Sequence, residues 1–438
     1  MSSNPPSLDP FERRIHEAIQ DRRARLERDL AEIVAVPSGQ DHLPGLTRLH
    51  DWFTNRLRAL GAEIESRPGR PRPGWLEIQA EADVGGPEAD PDRSVPPTLV
   101  ATSRVGDGAD AVRSILCGHI DTVHPPHGPF QGMTSLDDDL ATGPGVMDMK
   151  GGLIVALSAL EILAEVGRPI DWTMVLVPDE ETGTYHSEQT LTEAARGHDV
   201  GLVFEPALAD GSLVVERMGS GTFMIESHGR AAHVGRAFTD GRSAVVALAR
   251  AVVEVSTLAD PERGRIVSVG PLNGGGVTNA VPHHARAWGN VRYPDATVQR
   301  ELEQDMHAVV ERLDAELRRE DPDAASVGVR TSFIRPAKPR TPEVLDLAER
   351  ARAVSEALDH PMPFAATGGA CDGNLLQAAG VPTIDTLGVR GGGMHRPDEF
   401  IALSSLVERT TLLAVLLHRL DRDGFGGRPG SNRPVPTN

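Results

Sequence analysis

Three short apolar runs in the first half of the chain each break off into a histidine or a carboxylate, and this recurrence constrains the fold more than any other feature. Ser114-Ile-Leu-Cys-Gly118 runs into His119-Ile-Asp121. Trp172 to Val177 runs into Asp179-Glu180-Glu181, and Val200 to Phe204 runs into Glu205. Runs this short are of strand length, whereas the apolar-rich stretch Gly151 to Val166 between them is of helix length. Strand and helix in alternation indicate an α/β fold. In open α/β sheets, ligands bind beyond the carboxyl ends of the strands. The imidazole and carboxylate groups therefore fall where chemistry is expected.

The flanking sequence is read in the same way. Residues 11–35 carry Ile15, Ile19, Leu26, Leu30 and Ile33 at helical spacing, which predicts one helix ended by Pro37-Ser38-Gly39. A second amphipathic helix is expected from Leu46 to Leu60, stopped by Gly61. Residues 81–110 are acidic, contain Pro and Gly and show weak periodicity, and are read as a surface insertion between two strands. From about Leu213 the pattern changes. Ser220 to Ser227 alternates like a half-exposed strand, Asp240 to Leu258 reads as helix, Ala285 to Tyr293 as strand, and Leu302 to Arg319 as a charged amphipathic helix. This is an α+β pattern, expected to form a smaller inserted domain. A helix from Pro342 to Leu358 and short strands around Val381 to Leu387 resume the first pattern. The expected division is 1–214 and 332–422 for the main domain, 215–331 for the insert, and a disordered tail at 423–438 rich in Gly, Pro, Arg and Asn.

Composition excludes several functions. A net charge of −19 over 438 residues argues against a nucleic-acid surface. No stretch of apolar residues is long enough to span a membrane. The opening Met-Ser-Ser-Asn-Pro-Pro lacks the basic and apolar regions of a secretory signal. Two cysteines, Cys117 and Cys371, give no disulfide framework, so a reduced cytoplasmic setting is expected.

His119, Asp121, Asp148, Glu180, Glu181, Glu205 and His395 together offer the donors of a metal site. Catalytic zinc takes His nitrogen and carboxylate oxygen and keeps a position open for water. Two metals ~3.5–4 Å apart need a bridging group, and a carboxylate has one oxygen for each. Each residue alone is a weak signal, and their joint placement at strand ends carries the reading.

At these residues the chain resembles the dinuclear-zinc exopeptidases and deacylases, which include glutamate carboxypeptidase, acetylornithine deacetylase and succinyl-diaminopimelate desuccinylase. The matching segments are Gly118-His-Ile-Asp-Thr-Val123, Gly143-Pro-Gly-Val-Met-Asp-Met-Lys-Gly-Gly152, Pro178-Asp-Glu-Glu-Thr-Gly183, Phe204-Glu-Pro206, Gly229-Arg-Ala-Ala-His-Val-Gly235 and Gly391-Gly-Gly-Met-His395. They occur in family order between about residues 30 and 418. The resemblance is nearest to glutamate carboxypeptidase. It implies a catalytic domain with a central mixed sheet flanked by helices, and an inserted lid domain through which two chains dimerise.

The resemblance also implies roles. His119 and Glu205 would hold one zinc, Glu181 and His395 the other, and Asp148 would bridge, with Co²⁺ or Mn²⁺ as substitutes. Glu180 would be the general base, and Asp121 would orient His119. The Asp148-Met149 bond is often cis in this family. His233 would reach the partner subunit's active site and stabilise the oxyanion. Asn279, Arg292, Arg335 and the Gly368-Gly369 loop match substrate-contacting positions, which implies a small-molecule or short-peptide substrate with a free carboxylate beside the scissile amide. The same site chemistry suits an N-deacylase or an aminohydrolase. A binding protein on this fold is a third reading, disfavoured because Glu180 and all the ligand positions are present. Departures from the family pattern are Tyr185-His186, read as narrowing the pocket, His124 and His127, read as surface loop residues, and Cys371, which either faces the pocket or is buried and inert.

Overall fold

The computed structural model describes residues 7–39, 42–77, 96–105 and 111–430. A six-stranded sheet forms the centre, in the order Glu63–Arg67, Thr98–Ser103, Trp172–Val177, Ser114–His119, Val200–Val203 and Thr383–Ile384. The first two pairings are antiparallel and the rest parallel, so the sheet is mixed, as expected. The three parallel strands that carry the site are buried along their whole length. This explains why they read as unbroken apolar runs rather than as alternation: helices cover both faces of a parallel sheet. The helix Gly151–Glu165, buried from Gly151 to Leu163, packs against the C-terminal helix Ser404–Asp423.

The structure changes several sequence-based expectations. The single helix over 11–35 is two, Pro10–Gln20 and Arg23–Val34. Its five apolar residues all face the core on both sides of the break, so the periodicity carried no signal of it. Asp9 caps the first helix in a capping box with Glu12, and Pro10 opens it. The segment 81–110 is not all insertion. Thr98–Ser103 is a strand of the central sheet, with Leu99, Val100 and Ala101 buried, and the acidic residues around it diluted its apolar character. Residues 78–95 and 106–110 lie outside those described. The expectation of an unstructured tail does not hold for 424–430. There Phe425 is buried against the Arg350 guanidinium and Arg428 pairs with Asp199. Residues 431–438 lie outside those described.

A second, four-stranded antiparallel sheet follows, in the order Ile266–Gly274, His284–Tyr293, Gly219–His228 and Ser326–Arg335. One face carries Phe223, Ile225, Ala287 and Val291, which pack with Leu248 of the helix Ala244–Ser256 and Leu302 and Met306 of the helix Ala296–Glu320 in a core of their own. The sheet continues to Arg335, beyond the expected boundary at 331. Its link to the first core includes the Trp288 indole, which donates to the Trp75 carbonyl at 2.8 Å. Among the described residues no helix is long and apolar enough to cross a membrane.

Candidate active site

His119 ends its strand, 1% exposed. Its Nδ1 faces two oxygens of Asp121, the main-chain carbonyl at 3.0 Å and Oδ1 at 3.4 Å. Both are acceptors, so the ring proton is held at Nδ1, and Nε2 points at Asp148 Oδ1, 3.1 Å away. Asp121 also accepts from the backbone N–H groups of Glu180 (3.2 Å) and Glu181 (2.9 Å). One buried carboxylate therefore sets both the histidine and the Glu180-Glu181 turn.

Asp148 lies in the loop before the Gly151–Glu165 helix. Gly145 takes φ of 69°, open to glycine, and the Asp148-Met149 bond is cis as the resemblance implies. The loop is pinned from a distant part of the chain. Glu399, wholly buried, accepts from the N–H groups of Met147 (2.7 Å), Asp148 (3.0 Å) and Gly145 (3.2 Å). His124 Nε2 lies 2.6 Å from the same carboxylate. His124 is thus 7% exposed and no surface loop residue, contrary to expectation.

His395 enters on a short sheet in which Gly391–Gly392 pairs with Phe400–Ala402 and that strand with Leu140–Thr142. Its Nε2 is 3.1 Å from Asp148 Oδ2 and 3.4 Å from Glu181 Oε1. The candidate donor atoms fall into two trios, His119–Asp148–Glu205 and Asp148–Glu181–His395, each with its atoms within 4.8 Å of one another. Asp148 belongs to both, with one oxygen toward each histidine.

The electrostatics fit divalent cations. Burial, then Asp148 and Glu180, push the Glu205 carboxyl well above its usual range, and burial raises Glu181. Hydrogen bonds to Asp148 and Glu181 raise His395 to about 10. Such crowding of carboxylates around two imidazoles is relieved by positive charge placed between them.

A cavity of about 440 Å³ opens over this site, lined among others by Glu180, Ala207, Arg217, Gly369 and Met394. Glu180 is held by Arg335, whose Nη1 lies 2.8 Å from Oε1 and whose Nη2 donates to the Glu180 carbonyl at 2.7 Å and to Thr184 Oγ1 at 2.6 Å. Arg335, expected to grip substrate, thus grips the expected base in this structure. Burial, then repulsion by Arg335, lowers the proton affinity of Arg292, which does not line the cavity. Of the glycine pair, Gly369 lines the cavity and Gly368 is exposed beside it. His233 and Asn279 are exposed on the second sheet's loops, joined by the Val234 N–H to the Asn279 carbonyl at 3.0 Å, and neither lines this cavity.

Sequence reasoning missed Glu399 and Arg217. Arg217 donates to the Gly369 carbonyl at 3.0 Å and to Asp385 at 2.7 Å, and Lys338 shares Asp385. Its place just after the Leu213–Val215 run repeats the pattern of a charge at a strand end. Glu399 had no such signal, because its partners lie some 250 residues earlier. Tyr185 and His186 do not line the cavity. They hold the 70–72 segment, through the Arg72 guanidinium over the Tyr185 ring and His186 on the Arg70 carbonyl. Cys371 is buried and its thiol is pushed up by burial, as for an inert cysteine.

Two histidines and three carboxylates grouped about a shared aspartate, most of them at the carboxyl ends of parallel strands and beneath an open cavity, define a metal-dependent hydrolase. Within that class, residues 115–419 match the model of peptidase family M20/M25/M40, and the chain belongs to this family. It is 27% identical to carboxypeptidase G2 of Pseudomonas sp. over 308 residues, covering 69% of this chain and 72% of that one. It is 29% identical to succinyl-diaminopimelate desuccinylase of Methylorubrum extorquens over 397 residues, covering 84% and 92%. The fold is shared with a dinuclear metal-binding peptidase of Bacillus subtilis at a TM-score of 0.61 and 15% identity, covering 91% and 98%.

Proposed function

We propose that the chain is a dinuclear-zinc amidohydrolase that releases a C-terminal amino acid, glutamate first among candidates, from a small or short-peptide substrate with a free carboxylate beside the scissile amide. The observation that carries this is the pair of ligand trios sharing Asp148 with Glu180 beside them. His119 and Glu205 would hold one ion, Glu181 and His395 the other, and Asp148 would bridge. When bound, the two ions supply the Lewis acidity that activates water and polarises the scissile carbonyl.

The chain's own groups do the rest. Glu180 takes a proton from the attacking water and returns it to the leaving nitrogen. Arg335 keeps the Glu180 carboxylate aimed, at 2.8 Å, and Asp121 fixes the turn beneath it. Arg217 ties down the Gly369 carbonyl at the cavity wall, where the substrate's carboxylate side would lie. His233 would act across a dimer formed by the second sheet unit. The likeness to a desuccinylase over 84% of the chain favours a second reading, N-deacylation of acylated amino acids at the same site.

The test is metal content after purification without chelator, with turnover of N-acyl-glutamates, dipeptides and succinylated amines. We expect two ions per chain in this site, activity lost to chelator and restored by zinc, and glutamate release. Fast turnover of succinylated amines without glutamate release would select the second reading. Glu180→Gln is expected to keep its metal and lose turnover by ~10²–10⁴-fold. Near-normal turnover would remove Glu180 from the mechanism.

A further inference from the structure

The open face of the second sheet, opposite its helices, carries a cluster that the hydrolytic site does not use. Side chains alternate across a strand, so Glu226 and His228 share a face. His284 pairs with His228 in register on the neighbouring strand, and Arg286 with Glu226. The two imidazole rings lie 4.9 Å apart between centroids. Glu226 Oε1 is 2.9 Å from His284 Nε2 and accepts from Arg286 Nε at 2.6 Å, while Oε2 is 3.4 Å from His228 Nε2. One ligand atom from each of Glu226, His228 and His284 fits within 4.8 Å of the others.

We infer that Glu226, His228 and His284 form a third divalent transition-metal site, of zinc type, separate from the hydrolytic centre. Two imidazoles and one carboxylate with a position left for water are a common zinc donor set. Arg286 plays the part of an outer partner that orients a ligating carboxylate through its other oxygen. Arg330 Nη2 lies 3.9 Å from Oε2 on a side chain that is half exposed.

The position suggests a use. His284 also lines a second cavity of about 330 Å³ with Gly275, Val277 and Ala280. The Gly229 N–H donates to the His283 carbonyl at 2.8 Å, and the Val281 N–H to the Ala232 carbonyl at 2.8 Å. An ion bridging His228 and His284 clamps the common base of the loops that carry His233 and Asn279. The metal site itself does not depend on the proposed reaction, although this use of it does.

The experiment compares the full chain with His228→Ala, a change at a side chain 61% exposed, by equilibrium dialysis against zinc. We expect the variant to bind one equivalent less per chain, with an unchanged melting profile in chelator. Zinc added beyond the hydrolytic equivalents should also slow tryptic cleavage after Arg230 and Arg236 in the unaltered chain and not in the variant. Equal stoichiometry in the two proteins would overturn the site, whatever the enzyme's substrate. A deficit of one equivalent would support it even if no hydrolytic turnover were found.

Discussion

At single residues, the groups that place the candidate ligands matter as much as those ligands themselves. Glu399 satisfies the N–H groups of the loop that presents Asp148 and holds His124. Glu399→Ala leaves buried donors unpaired at ~1–3 kcal/mol each, and losing the support of a ligand typically weakens metal binding ~10–100-fold. Chelator competition should read that loss, and an unaltered affinity would show the loop to be self-supporting. A second residue bears on acid stability. Burial, then the charge of Arg104, lowers His198 to about 4. Its folded value lies below its unfolded one, so it stays neutral in the fold, and its contribution is present above about 6.5. As pH falls from there toward 4 the unfolded chain takes up the proton first and stability declines. His198→Gln should flatten the denaturant midpoint against pH over that window, and an unchanged slope would assign the decline to other groups.

At the scale of elements, the strands that end in candidate ligands were legible because burial on both faces makes them continuous and apolar, and the candidate ligands follow at once. His119, Glu181 and Glu205 could be placed from that rule. The strand Thr98–Ser103 was obscured by its acidic surroundings, and the break at 21–22 left no mark in the apolar spacing. The close approach of the helix Gly151–Glu165 to the Val200–Val203 strand gives a prediction. A Cβ at Gly152 would meet the Phe204 carbonyl oxygen at 2.2 Å, one residue before Glu205. Gly152→Ala should therefore shift the end of that strand and lower both stability and the affinity for the ion proposed at His119 and Glu205. Leu157→Ala, in the same buried helix, should cost ~2–5 kcal/mol by denaturant unfolding and leave the bound ions' affinity unchanged. Equal effects of the two on metal binding would remove the strand shift as the cause.

For the whole molecule, the prediction concerns whether one chain makes a complete site. His233 is exposed and away from the cavity within its own chain. If it serves a partner's site, two inactive variants should repair each other. Glu180→Gln keeps a sound His233, and His233→Ala keeps a sound Glu180. Mixed and allowed to exchange subunits, they should regain part of the native turnover, whereas each alone stays low. Activity no higher than the mean of the separate variants would confine His233 to its own chain. Nothing in the apolar patterning could have separated these cases, since periodicity reports burial within a chain and not between chains.

The order of the ligands along the chain has a consequence for synthesis. His119, Asp148, Glu181 and Glu205 lie in the first half, but His395 and the Glu399 that fixes the Asp148 loop lie near the end. A growing polypeptide emerges from its amino end and folds as it appears. Until His395 and Glu399 have emerged, the earlier candidate donors therefore stand without their second histidine and the Asp148 loop without its pin, so under the proposed function metal would load after these late residues and not as each donor appears.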